Sequence, residues 1–205
     1  MKRLLIPTII SFLCIINPVI SQVVLDSLMS NYSPQQIDSI YNAEGIPNFV
    51  GQSNYAVDVF KVIYETHDAN GDPTTASGAI FLPVNAPCGV PIISYQHGTL
   101  ANQSGLPSRL GGESIIGTVA ASHGYAVFMP DYIGMGDGPG FHPYCHAQTE
   151  ANAVLDIIRS GKSFCNANGY ELNEQVFLMG YSQGGHATMA AIREIELNYS
   201  SEFNI

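Results

Sequence analysis

Basic residues are scarce. Of 205 residues only 7 are Lys or Arg, against 17 Asp or Glu, for a net charge of −10. Phosphate backbones are held by clustered Lys and Arg, so the balance argues against a nucleic-acid partner and none is expected. Cysteines number four, with no CxxC and no His/Cys zinc spacing, so no metal site is read and no cofactor is expected. Internal repeats and low-complexity tracts are lacking too. The one long apolar run, Leu4–Ile16, follows the basic start Met1-Lys2-Arg3 and precedes Asn17-Pro18-Val19-Ile20-Ser21. Basic start, apolar middle and small residues at Val19 and Ser21 make a secretory signal peptide over 1–21, cut before Gln22. Pro7, Asn17 and Pro18 interrupt the run, which argues against a stable membrane span. Cleavage removes two basic residues and no acidic ones, taking the net charge from −10 to −12. The expected destination is secreted or extracytoplasmic, where disulfides are permitted.

What remains alternates strand and helix. Residues 22–52 form an N-terminal helical extension: Ser33-Pro34-Gln35-Gln36 fits a capping box with proline at the first helical position, predicting a helix to about Ala43 before Gly45. Tyr55–Glu65 alternates in a β-rich composition, Asn70-Gly71-Asp72-Pro73 is a turn, and Thr75–Leu82 returns as an antiparallel partner. Buried strands follow at Pro91–Tyr95 and Tyr125–Met129, with helices near Glu113–Ser122 and from Ala147, where Ala151, Val154, Leu155 and Ile158 keep helical spacing. Strands alternating with helices imply parallel crossovers and a mostly parallel, doubly wound α/β sheet.

Gln175–His186, reading Q-V-F-L-M-G-Y-S-Q-G-G-H, organises the rest. Val176–Met179 is a short apolar run expected as a strand buried on both faces, and helix formers resume at Ala187. Between them Gly180-Tyr181-Ser182-Gln183-Gly184 fits G-x-S-x-G, which in this strand-to-helix context is a nucleophile elbow. On this reading Ser182 is the catalytic nucleophile. Gly180 and Gly184 leave room for the turn, and Gly185 and Ala187 let the helix sit close. The Gln183 N–H would be one oxyanion donor. The second should come from the loop after an earlier central strand, at His97-Gly98-Thr99, with Thr99 the donor, Gly98 permitting close approach and His97 orienting the loop. His142 and His146 are read as structural hydrogen bonders, and Asp131 as a holder of its glycine-rich loop.

Y-Q-H-G-T at Tyr95–Thr99, D-Y-I-G-M-G-D at Asp131–Asp137, H-P-Y at His142–Tyr144 and G-Y-S-Q-G-G-H-A at Gly180–Ala187 resemble the secreted lipase/esterase family of α/β-hydrolases. The resemblance runs from about Ser53 to the C-terminus. It implies an α/β-hydrolase domain over 53–205 and carboxylic-ester hydrolysis through an acyl-enzyme on Ser182. It also implies an oxyanion pair at Thr99 and Gln183, and a small ester or lipid substrate bearing an acyl chain. In this fold the strands preceded by Cys88 and Cys165 are neighbours, which implies a Cys88–Cys165 disulfide, with Cys145 free or paired elsewhere.

The order in this fold is Ser, then Asp or Glu, then His. Only 23 residues follow Ser182, and their one histidine, His186, is a single helical turn away and a poor base. The chain is therefore expected to be a C-terminally incomplete, N-terminal portion of a hydrolase, with the triad acid and base outside it and little turnover by itself. Two other functions stay open: a serine peptidase of the same fold, and a non-catalytic binding module derived from a hydrolase. The oligomeric state is not legible.

Overall fold

A computed structural model describes residues 21–47 and 50–205. The expected signal peptide lies outside the described residues except for Ser21, whose hydroxyl donates to the Glu65 carbonyl at 2.6 Å.

The chain runs β1 (Val23–Tyr32), α1 (Pro34–Glu44), β2 (Val57–His67), β3 (Pro73–Pro83), β4 (Val90–Gln96), α2 (Ser114–Ser122), β5 (Ala126–Pro130), α3 (Ala147–Asn168), β6 (Leu172–Gly180) and α4 (Gln183–Glu194). These strands form one six-stranded sheet in the order β1-β2-β3-β5-β4-β6. β1, β2, β3 and β5 pair antiparallel in succession, while β5, β4 and β6 are parallel. Each parallel link needs a crossover, and α2 and α3 provide them. Ile37 and Tyr41 of α1 and Ala121 of α2 pack on one face with Phe81, Val127 and Met129. Val154 and Ile158 of α3 and Ala187 and Ala191 of α4 pack on the other with Ile80, Phe128 and Val176. The result is an α/β sheet wound on both faces, parallel at the end that carries the serine turn.

The capping box of α1 forms as its residues dictate: Gln36 N–H bonds the Ser33 hydroxyl and the Gln36 side chain accepts from Ser33 N–H at 2.8 Å. Three elements differ from expectation. The extension at 22–52 is not only helical, because β1 joins the sheet edge beside β2. β6 is not buried on both faces: Val176 is buried, but Phe177 is 51 % and Met179 44 % exposed. The cause is position, for among the described residues β6 ends the sheet, paired with β4 and bridged on its other side only at Gln175 by Asn204, with Phe177 and Met179 on an uncovered face. The Cys88–Cys165 bridge is not formed. Cys88 is exposed in the turn before β4, whereas Cys165 points into the core from α3 with 0 % exposure.

Candidate active site

β6 enters the turn at Gly180 and α4 leaves it at Gln183, so only Tyr181 and Ser182 make the corner. Ser182 sits at φ 55°, ψ −118°, in the region L-residues avoid, and its side chain is exposed. The glycines explain how so sharp a corner closes. A Cβ on Gly180 would fall 2.4 Å from the Gly184 carbonyl oxygen, and one on Gly184 only 1.9 Å from the Gln96 carbonyl oxygen. Gly185 carries no such demand, since its Cβ would meet nothing nearer than 3.9 Å. The expectation that Gly185 is needed for close packing is therefore corrected. Ala187, 0 % exposed, does face the core.

The end of β4 lies directly against this corner. Tyr181 N–H donates to the Gln96 carbonyl at 3.3 Å, and Gly98 backs onto the Tyr181 ring and carbonyl. His97 is 1 % exposed; its Nδ1–H donates to the Gly98 carbonyl at 2.7 Å, and its own carbonyl accepts from Tyr132 Oη at 2.8 Å. Gly98 N–H is taken by the Glu113 carboxylate at 3.2 Å, which also accepts from Tyr95 Oη at 2.6 Å. Burial and that carboxylate push the Tyr95 phenol well above its ordinary value. Thr99 is exposed and its hydroxyl meets Tyr144 Oη at 3.0 Å. Its N–H has no partner among the described residues. Gln183 N–H, at the first helical position, has no intrahelical acceptor either. The structure thus brings Ser182, the 97–99 loop and the amino end of α4 to one edge of the sheet.

Beside the corner lies a polar chain the sequence did not reveal. Gln183 is buried, and its side-chain amide donates to Glu150 Oε1 at 2.8 Å and to His142 Nε2 at 2.8 Å. His142 Nδ1 faces the Ile133 carbonyl at 3.0 Å, so Nδ1 carries the hydrogen and Nε2 accepts. The other oxygen of Glu150, a residue 1 % exposed, meets His186 Nδ1 at 2.5 Å. His186 is thereby tied to Glu150, and no side chain among the described residues bonds the Ser182 hydroxyl. His146 caps α3, accepting from Thr149 N–H at 3.4 Å. Asp131, 0 % exposed, accepts no N–H from its glycine loop directly but reaches it through Ser77, whose hydroxyl accepts from Asp137 N–H at 2.9 Å. Asp131 itself accepts from the Ser108 N–H at 3.0 Å and the Ser77 hydroxyl at 2.6 Å, and burial holds its carboxyl above the ordinary value. Glu150 was missed although it falls three residues after Ala147 and four before Val154, on the apolar stripe of α3. A charge on such a stripe signals a buried, partnered group.

Residues 108–205 match the profile of the Secretory lipase family. Among solved structures, the ligand-bound rice cell wall degrading esterase LipA from Xanthomonas oryzae superposes with a TM-score of 0.79 at 32 % identity, over 89 % of this chain and 47 % of that one. A candidate hydrolase from Legionella pneumophila gives 0.81 at 31 %, over 87 % and 49 %. Candida antarctica lipase A in its closed state gives 0.60 at 24 %, over 90 % and 40 %, a likeness of fold alone. The chain spans about half the length of the first two. No curated protein matches it. The resemblance to secreted lipases and esterases carried by the four motifs is borne out.

Proposed function

From this likeness to secretory lipases and a bacterial esterase, we propose that the chain carries the nucleophilic part of a secreted carboxylic-ester hydrolase working through an acyl-enzyme on Ser182. The observation that carries the reading is Ser182 itself, exposed on a corner held at φ 55° with the amino end of α4 behind it. The Ser182 oxygen adds to the ester carbonyl carbon as its proton passes to a base, and the carbonyl electrons move onto oxygen. That oxyanion is received by the N–H groups of Gln183 and Thr99. With Gly98 N–H committed to Glu113, Thr99 is the next amide along the loop able to turn towards it. Collapse expels the alcohol, which leaves with the proton taken from Ser182, and water then releases the acid from the serine ester.

His97, Gly98, Gly180 and Gly184 shape this site without touching the substrate. His186, tied to Glu150, is not the base for Ser182. Turnover by these 205 residues alone is accordingly low, though the serine remains open to attack on a strong electrophile. The substrate is an ester or lipid with an acyl chain. The leader over 1–21 directs secretion and is removed before Gln22, leaving an N-terminal extension to residue 52 and the hydrolase domain from 53. No helix among the described residues is long and apolar enough to cross a membrane.

A fluorophosphonate probe tests the site. Label on the Ser182 peptide, lost in Ser182→Ala, is the expected result. Label on another residue with Ser182 left bare, or label that survives Ser182→Ala, overturns it. A panel of esters and peptides offered to the protein separates ester from peptide hydrolysis.

A further inference from the structure

Three groups from separate elements converge next to the corner. Cys145 Sγ comes from the turn before α3, a carboxylate oxygen of Glu150 from the first turn of α3, and a ring nitrogen of His186 from α4. These atoms all lie within 4.8 Å of one another. We propose that they form a binding site for a thiophilic divalent cation, with Zn²⁺ as the type.

The donor set is right for such an ion and poor for the hard cations. Thiolate, imidazole and carboxylate are the zinc ligands, whereas Mg²⁺ and Ca²⁺ take oxygen alone. The charges also close. A thiolate and a carboxylate carry two negative charges, the imidazole is neutral, and a divalent cation brings the cluster to zero. This matters because Glu150 is buried, where an uncompensated anion is costly. Its second oxygen is already fixed by Gln183, which is in turn held by His142, so the carboxylate is oriented from behind as metal-ligating groups usually are.

Access and geometry agree. Cys145 and His186 are exposed, giving the ion an entry path and a solvent molecule the fourth position. Two ligands of a tetrahedral zinc stand about 3.3 Å apart. The 2.5 Å contact between Glu150 and His186 must therefore open by somewhat under 1 Å, which the half-exposed His186 side chain can provide. Cys145 needs no new backbone turn, since it already sits at φ 53° and presents its sulfur to the cluster. Binding releases the thiol proton to solvent, and the hydrogen on His186 Nδ1 that now faces Glu150 gives way to the Nε2–H tautomer, which leaves Nδ1 free to ligate. The three residues are separated by 5 and 36 positions, so no sequence spacing announces them.

Co²⁺ titration of the reduced, metal-free chain tests the site. One equivalent should raise a thiolate-to-cobalt charge-transfer band with intense four-coordinate visible bands, both abolished by one equivalent of Zn²⁺. Cys145→Ser, at an exposed position where loss of fold is checked by circular dichroism, should remove the charge-transfer band. It should also weaken Zn²⁺ binding at least about 100-fold, the upper end of what even outer-shell changes cost. His186→Ala should weaken it similarly, and Cys88→Ser should change neither. A wild-type chain without the band, a band that survives Cys145→Ser, or Zn²⁺ held no tighter by the wild type than by that variant overturns the proposal.

Discussion

The side-chain amide of Gln183 donates to the buried carboxylate of Glu150 at 2.8 Å, joining the first turn of α4 to the first turn of α3. One residue thus has two separable duties, a main-chain N–H facing the site and a side chain that braces it. Gln183→Leu leaves Glu150 Oε1 and His142 Nε2 without that donor. The expected loss is about 2–3 kcal/mol of stability in urea, since a buried acceptor is stranded. The backbone N–H is untouched, so fluorophosphonate labelling of Ser182 should persist in the folded fraction.

Neighbouring glycines should behave oppositely. Gly184→Ala drives a methyl to 1.9 Å from the Gln96 carbonyl oxygen, backbone that cannot swing away, and should cost about 3 kcal/mol or more. Gly185→Ala meets open space inside a helix and should add about 0.5–1 kcal/mol. Urea melts of the two variants check the pair.

Asp131 and Asp137 should pull acid stability in opposite directions. Arg109, and then Lys61, hold the Asp137 carboxyl down at about 2. Its contribution is complete above the ordinary carboxylate value of 3.8 and is lost as the pH falls towards about 2. Asp131 is raised by burial, so its protonation favours the folded state, and its contribution grows as the pH falls through the raised value towards 3.8. Asp137→Asn should flatten the acid loss of urea stability below 3.8, and added salt should shrink that difference because the pair is partly exposed. Asp131→Asn should make the wild-type loss steeper just above that range.

The described cysteines should divide two to one in native alkylation. Cys88 and Cys145 are exposed and should react, while Cys165 is buried with its thiol pushed up to about 12 and should react only in denaturant. Peptide mass mapping that finds Cys88 and Cys165 protected together would restore the bridge implied by the family resemblance.

Legibility followed the range of the interaction. The α1 cap and the corner glycines are local rules, satisfied within a few residues, and both were readable. β1 was not, because Val24, Leu25 and Leu28 are 58 %, 56 % and 58 % exposed on an edge strand. Its apolar residues therefore show no clean alternation. The exposure of β6 was equally hidden, because an apolar run reports affinity for burial and not what stands opposite. Glu150 acquires its meaning only from Gln183 and His186, 33 and 36 residues away, and no single-chain pattern encodes that meeting.

The positive φ of Ser182 has a consequence for any laboratory selection on this chain. A side chain held in that region costs about 1–3 kcal/mol, and glycine adopts it freely. Ser182→Gly should therefore melt higher than the wild type while no longer taking up fluorophosphonate. A screen rewarding heat tolerance alone would drift towards glycine at this corner, and its survivors would be sturdy and inert.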